Sequence, residues 1–84
     1  MLFFPRHAMS LLAPRAAAVD EAHKALREAD LELAAAAERK DRPAVEAALA
    51  RCASADRRVR LALEAYHFYG EHLRRTLEDA ERAA

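Results

Sequence analysis

The chain has almost none of the residues that build disulfide frameworks, phosphate-binding loops or large cores. It contains one cysteine, one glycine and no tryptophan among 84 residues. One cysteine excludes an internal disulfide, a single glycine excludes a glycine-rich phosphate loop, and clustered zinc-ligand spacing is missing. Alanine supplies much of the 54% apolar fraction. Because a scaffold of this size rarely gains more than about 3–5 kcal/mol from one core, oligomerisation is the expected source of stability.

An excess of one charge is also lacking. The 14 basic and 14 acidic residues divide evenly, with six of each sign in residues 1–40 and eight of each in residues 41–84. Nothing therefore steers the chain toward nucleic acid or an anionic membrane surface. No stretch approaches the roughly 20 apolar residues that a membrane span requires. We expect neither nucleic acid nor a membrane as partner.

The second half of the chain carries a seven-residue apolar repeat. Its first line consists of Val45, Cys52, Val59, Tyr66, Leu73 and Ala80. Its second line consists of Leu49, Leu63 and Leu77, with Asp56 and Gly70 interrupting it. The alternating four–three spacing predicts a coiled-coil seam that packs against another helix. Gly70 is expected where another backbone or a large side chain comes near, since a helical glycine otherwise only weakens the helix.

A turn signal, Lys40-Asp41-Arg42-Pro43, separates this repeat from an earlier one. Asp41 is a good N-cap, and Pro43 is tolerated in the first turn of a helix. The earlier repeat has two lines. Leu12, Val19, Leu26 and Leu33 form one, and Ala22, Ala29 and Ala36 form the other. Small residues on the second line allow two helix axes to approach closely.

The two repeats come into register when the chain folds back at the turn. Leu33 then reaches the level of Leu49, and Val19 the level of Leu63. Phe3 and Phe4 would reach Leu77 and Ala80. The sequence therefore predicts an all-α fold, a long antiparallel two-helix hairpin within one domain of residues 1–84. Its parts are an N-terminal segment at 1–13, helix 1 at 14–40 and helix 2 at 42–83.

The N-terminal segment has its own signals. Pro14 predicts a kink or break, with a short extra helix before it as one arrangement. The first nineteen residues are basic and apolar and loosely imitate a leader peptide, but His7, Ser10 and Pro14 interrupt the apolar run. We expect the segment to be retained, with Met9 as an alternative start.

The hairpin has more apolar residues than are needed to form one buried stripe on each helix. Leu61, Ala65 and Phe68 form a line on the far side of helix 2, and Leu31 lies outside the seam of helix 1. This surplus predicts dimerisation into a four-helix bundle, or docking of a helical partner protein. Aromatic residues are over-represented where interfaces carry energy. The predicted interface consists of Leu61, Tyr66, Phe68, Tyr69 and Leu73.

One constellation suggests metal chemistry. Glu64 and His67 lie three residues apart on one helix face, and Glu71 lies one turn beyond. The motif resembles the Glu-x-x-His of ferritin-like di-iron bundles, and the resemblance covers these four residues only. It implies a carboxylate–histidine site formed between chains. However, Glu64 and His67 flank the predicted seam, which favours a solvated helix face with His67 and Glu71 paired.

The remaining candidates favour structural roles. Asp56 either fixes register as a buried, satisfied polar group, with Arg27 or an arginine of another chain as partner, or marks a point where the seam opens to solvent. The arginine-rich stretch 57–60 points around the helix, and Asp56 and Glu64 are placed to pair with Arg60. Cys52 has no histidine at helical spacing, so a buried, reduced thiol is expected.

We therefore predict a non-enzymatic, cytoplasmic interaction or assembly module without a cofactor. It would self-associate or dock on a helical partner. The alternative from a different class is a ferritin-like metal-binding protein whose site forms between chains.

Overall fold

The computed structural model describes the backbone of residues 3–84 and the side chains of residue 10 and residues 12–84. It confirms the all-α, antiparallel hairpin: α1 spans Phe3–Glu38 and α2 spans Arg42–Ala83, and the two helices pack along their length. The described part of the chain has no strand. The molecule is a rod of 65 × 16 × 12 Å.

The predicted break at Pro14 does not occur. Pro14 lies inside α1, which is continuous from Phe3, so the separate short helix is not formed. Proline removes one backbone N–H, whereas the neighbouring alanines, Ala13 and Ala16, favour helix. The expected level of Phe3 and Phe4 concerns side chains outside the described set.

The turn forms from the residues that signalled it. Lys40 has φ 55°, and the N–H groups of Lys40 and Asp41 donate to the carbonyls of Ala37 and Ala36 at 3.1 and 3.2 Å. These two bonds make a Schellman motif, which satisfies carbonyls at the end of α1. The Asp41 carboxylate then accepts from the N–H of Ala44 at 3.2 Å, confirming Asp41 as the N-cap of α2.

The predicted register is also confirmed. The Arg51 guanidinium lies 2.6 Å from the Glu32 carboxylate. The Cys52 thiol donates to Asp30 at 3.4 Å, and the Arg15 guanidinium lies 3.9 Å from the centre of the Tyr69 ring. All three contacts join residues whose numbers sum to between 82 and 84, as the predicted levels require.

The core lies along a different line of α2 from the one predicted. The buried residues are mostly alanines: Ala22, Ala29, Ala36, Ala48, Ala55, Val59 and Leu73. Of the first predicted line, Val59 and Leu73 are buried and the other members are half-buried. In the second line, Leu63 is half-buried and Leu49 and Leu77 are exposed. Ala48 and Ala55 take its place and pack toward the alanines of α1. The buried contact between the helices is thus mostly alanine, and Leu49 and Leu77 turn toward solvent.

Candidate interaction surface

One broad face of the hairpin is apolar and incompletely covered, and we call it the leucine face. On α1 and α2 it consists of Leu12, Val19, Leu26, Leu33, Val45, Leu49, Leu63, Tyr66 and Leu77. Leu49 and Leu77 are exposed, and the other members are half-buried. The seven-residue spacing keeps each line on one side of its helix. The face therefore runs along most of the hairpin.

Two adjoining depressions show that both helices contribute to the leucine face. One of about 300 Å³ lies between Val19 of α1 and Leu63 and Tyr66 of α2. The next, of about 370 Å³, lies between Leu12, Tyr66 and Gly70. Gly70 faces open space, since no described atom lies within 4 Å of a Cβ built on it. The expected close approach at Gly70 is therefore not found within the described part of one copy.

The opposite face of the hairpin is polar near the turn. Ala29 and Ala55 lie at the bottom of a shallow depression whose rim carries Glu32, Arg51 and Arg58. The Arg51–Glu32 ion pair on this rim is about half exposed, so it contributes little to stability. The two faces therefore differ in chemistry: one presents leucine and valine, and the other presents charges.

The predicted interface residues do not form one patch. Tyr66 lies on the leucine face, whereas Leu73 is 7% exposed and belongs to the core of the hairpin. Tyr69 is half-buried beneath Arg15. Leu61 and Phe68 are 58% and 69% exposed. Because residues two apart in a helix differ by about 200° around its axis, Leu61 points away from Leu63 and Phe68 away from Tyr66.

The metal candidates lie on the outer surface of α2. Glu64, His67 and Glu71 line an open groove of about 740 Å³ whose walls come from α2 alone. The Glu71 carboxylate accepts hydrogen bonds from Arg74 at 2.6–3.1 Å, and Arg74 also donates to Glu78. The Arg74 hydrogen bonds hold the pKa of Glu71 below its usual value. Within the described residues, no three histidine, cysteine or acidic side chains are placed to hold a metal ion.

Asp56 and Cys52 are polar interruptions at the leucine face. Asp56 is exposed and pairs with Arg60 at 3.1 Å, so within one copy the seam opens to solvent there. Cys52 is half-buried. Burial raises the pKa of the Cys52 thiol, and its hydrogen bond to the Asp30 carboxylate raises it further. A protonated thiol is a poor nucleophile, consistent with a structural role.

The leucine face is a surface that the sequence pattern does not reveal. The heptad spacing predicts Leu49, Leu63 and Leu77 as part of the internal seam. The signal that could have corrected this was the alanine line of α2, Ala48 and Ala55, which matches the alanine line already noted in α1.

Neither helix, over its described residues, contains a stretch long and apolar enough to cross a membrane. No protein family model matches the chain, and no curated protein or solved structure shows significant similarity to it. The fold and its surface are thus the basis for any functional assignment. They define a class, the long helical hairpin with one apolar broad face.

Proposed function

We propose that the chain is a non-enzymatic assembly module that self-associates through the leucine face into a four-helix bundle. The observation that carries this proposal is the division of the hairpin into a thin alanine core and an incompletely covered leucine face. A monomer buries few large side chains; among the described residues they are Val59 and Leu73. Leu49 and Leu77 of the leucine face are still 52% and 44% exposed, so part of the hydrophobic free energy that the sequence offers is unused in one copy.

The size of the face suits a stable dimer. The rod measures 65 by 16 Å, so its broad face covers about 1,000 Å². Two copies packed on that face would remove about 2,000 Å² from water in total, which lies at the upper end of standard specific interfaces. Packing of two hairpins into a four-helix bundle is the common way for amphipathic helices to bury such faces.

The two polar residues beside the leucine face, Asp56 and Cys52, are also compatible with a packing role. Asp56 is paired with Arg60 within one copy, so its charge is neutralised beside the interface. The protonated Cys52 thiol would be retained in a reducing compartment, and we infer a cytoplasmic setting from it.

Leu49→Glu tests the proposal. Leu49 is 52% exposed in a single copy, so the hairpin should keep its helical content. In a dimer, the same carboxylate would be buried without a partner. We expect the dimer dissociation constant to rise by at least about 100-fold, which corresponds to roughly 2.7 kcal/mol. Sedimentation equilibrium measures this directly.

The matched control is Leu31→Glu, which makes the same chemical change at a residue that is 71% exposed on the outer side of α1. It should leave the dissociation constant nearly unchanged. Equal weakening by both substitutions, or a dimer unaffected by Leu49→Glu, would contradict the leucine face as the interface.

A further inference from the structure

We propose that the second copy packs antiparallel on the leucine face, with Leu49 of each copy filling the recess at Gly70 of the other. This inference rests on the proposed self-association and assigns its orientation. It follows from the position of one protruding side chain and one recess on the same line of α2.

The recess is centred on Gly70. It has a volume of about 370 Å³ and is bounded by Leu12 and Tyr66, with His67 and Glu71 at the rim. Gly70 is half-buried by its neighbours, yet a Cβ placed on it would meet no described atom within 4 Å. The missing side chain at Gly70 therefore leaves a hollow between Leu12 and Tyr66 that no described side chain of the same copy fills.

The protruding side chain is Leu49. It lies 21 residues, or three heptads, before Gly70, so both residues occupy the same line of α2. Leu49 is the most exposed member of the leucine face. The leucine face therefore carries both a protruding side chain, Leu49, and a recess at Gly70, and the two lie about 32 Å apart along α2.

Consider a two-fold axis that lies in the interface and runs perpendicular to the rod. It places Leu49 of each copy on the Gly70 recess of the other copy. The axis must pass midway between residues 49 and 70, at the level of Val59 and Arg60. This level is close to the middle of α2, which spans Arg42–Ala83, so the two copies overlap over nearly their full length. The two-fold axis that places Leu49 against Gly70 is therefore close to the axis that gives the longest overlap of the two rods.

The same axis matches apolar residues on α1. By the observed register, in which contacting residue numbers sum to 82–84, the level of Arg60 lies at residues 22–24 of α1. Leu33 of one copy then faces Leu12 of the other, and Leu26 faces Val19. In a parallel two-fold dimer, α2 of one copy would instead lie on α1 of the other, so Leu49 would face the level of Leu33 and would not reach the recess at Gly70. A recess that stays empty is destabilising, because its lining lacks the dispersion contacts of a packed interface.

A substitution and its compensation test the contact. Gly70→Leu fills the recess and should leave the hairpin intact, because the site is open and leucine is the better helix former. It should weaken the dimer by at least about tenfold through overpacking. Adding Leu49→Ala to the same chain should restore most of the affinity. The control, Leu77→Ala in the Gly70→Leu background, should give no rescue.

Spin labels measure the orientation independently. In a Cys52→Ala background, a label at Glu46→Cys should give an interchain distance of about 40 Å by pulsed electron resonance. A parallel dimer would give less than about 25 Å, since neighbouring helices in a bundle lie about 8–10 Å apart. A dimer with the short distance, or a Gly70→Leu defect without rescue, contradicts this inference but leaves the proposed function standing. A wild-type monomer contradicts both.

Discussion

At the residue scale, the turn contains a backbone conformation that L-residues rarely adopt. Lys40 has φ 55° and closes the Schellman motif at the end of α1. Glycine usually occupies this position, because a Cβ in the left-handed region meets the following carbonyl. The chain thus accepts a small local strain in order to reverse direction over three residues.

Lys40→Gly should therefore stabilise the hairpin. The strain released, less the greater entropy of glycine in the unfolded chain, corresponds to about 0.5–1 kcal/mol. Urea unfolding followed by circular dichroism, at one fixed protein concentration, measures the difference. Lys40→Ala is the control, because it removes the charge and keeps the Cβ. Equal stability of the two variants would show that the positive φ carries no strain.

Cys52 supplies a prediction about pH. Burial and the Asp30 carboxylate raise the pKa of the Cys52 thiol, so the folded state holds the proton more tightly than the unfolded state. This contribution to stability is present below the unfolded thiol pKa. It is lost as the pH rises through the folded pKa.

Asp30→Asn should lower the thiol pKa and accelerate alkylation of Cys52 at mildly alkaline pH. Thiolate absorbance as a function of pH measures the shift, with Asp20→Asn as a control at a carboxylate that has no bond to Cys52. An unchanged thiol pKa in Asp30→Asn would remove the charge of Asp30 as a cause.

At the element scale, the two helices are held together by rows of alanine. Ala29 of α1 and Ala55 of α2 line the same depression and are both buried. A methyl side chain removes little apolar surface, but it lets two helix backbones approach closely. The rows therefore determine which sides of α1 and α2 meet.

Ala55→Leu should push the helices apart. Overpacking of a buried position costs about 1–3 kcal/mol, and Ala55 is only 6% exposed beside the alanines of α1. The control is Ala50→Leu, at an exposed position of the same helix. In thermal unfolding, Ala55→Leu should have a lower melting temperature than Ala50→Leu. Equal melting temperatures would show that the alanine rows are not a packed seam.

The same rows explain how far the sequence could predict the fold. The turn at Lys40 and Asp41, the α2 helix and the register follow from local chemistry and from the seven-residue period, and they were predictable. The choice between Leu49 and Ala48 as the second seam line was not. Both spacings fit a heptad, and hydrophobicity favours leucine, whereas close approach of two alanine rows favours the alternative.

The candidate site was predictable only in part, for a related reason. The excess of apolar residues indicates that a further surface must be covered, and this is visible in the sequence. Its location depends on which line of α2 faces α1, so the predicted patch mixed Tyr66 of the leucine face with buried Leu73 and outward Phe68.

The continuity of α1 through Pro14 was not predictable from the sequence either. Proline usually disrupts a helix, but one missing N–H does not stop a long helix that packs along a partner.

At the scale of the whole molecule, a rod of 65 × 16 × 12 Å cannot enclose a core by itself. Among the described residues, the buried side chains lie along the contact between the two helices, and Leu49 and Leu77 of the leucine face point outward. Dimerisation would convert this surface into the centre of a four-helix bundle. The stability of the chain should then depend on protein concentration, as it does for an obligate dimer.

The most direct measurement is the solution mass of the wild-type chain by light scattering over a range of concentrations. We expect twice the 9.4 kDa mass of one copy, with dissociation only on dilution. A mass of one copy at every concentration would contradict self-association through the leucine face.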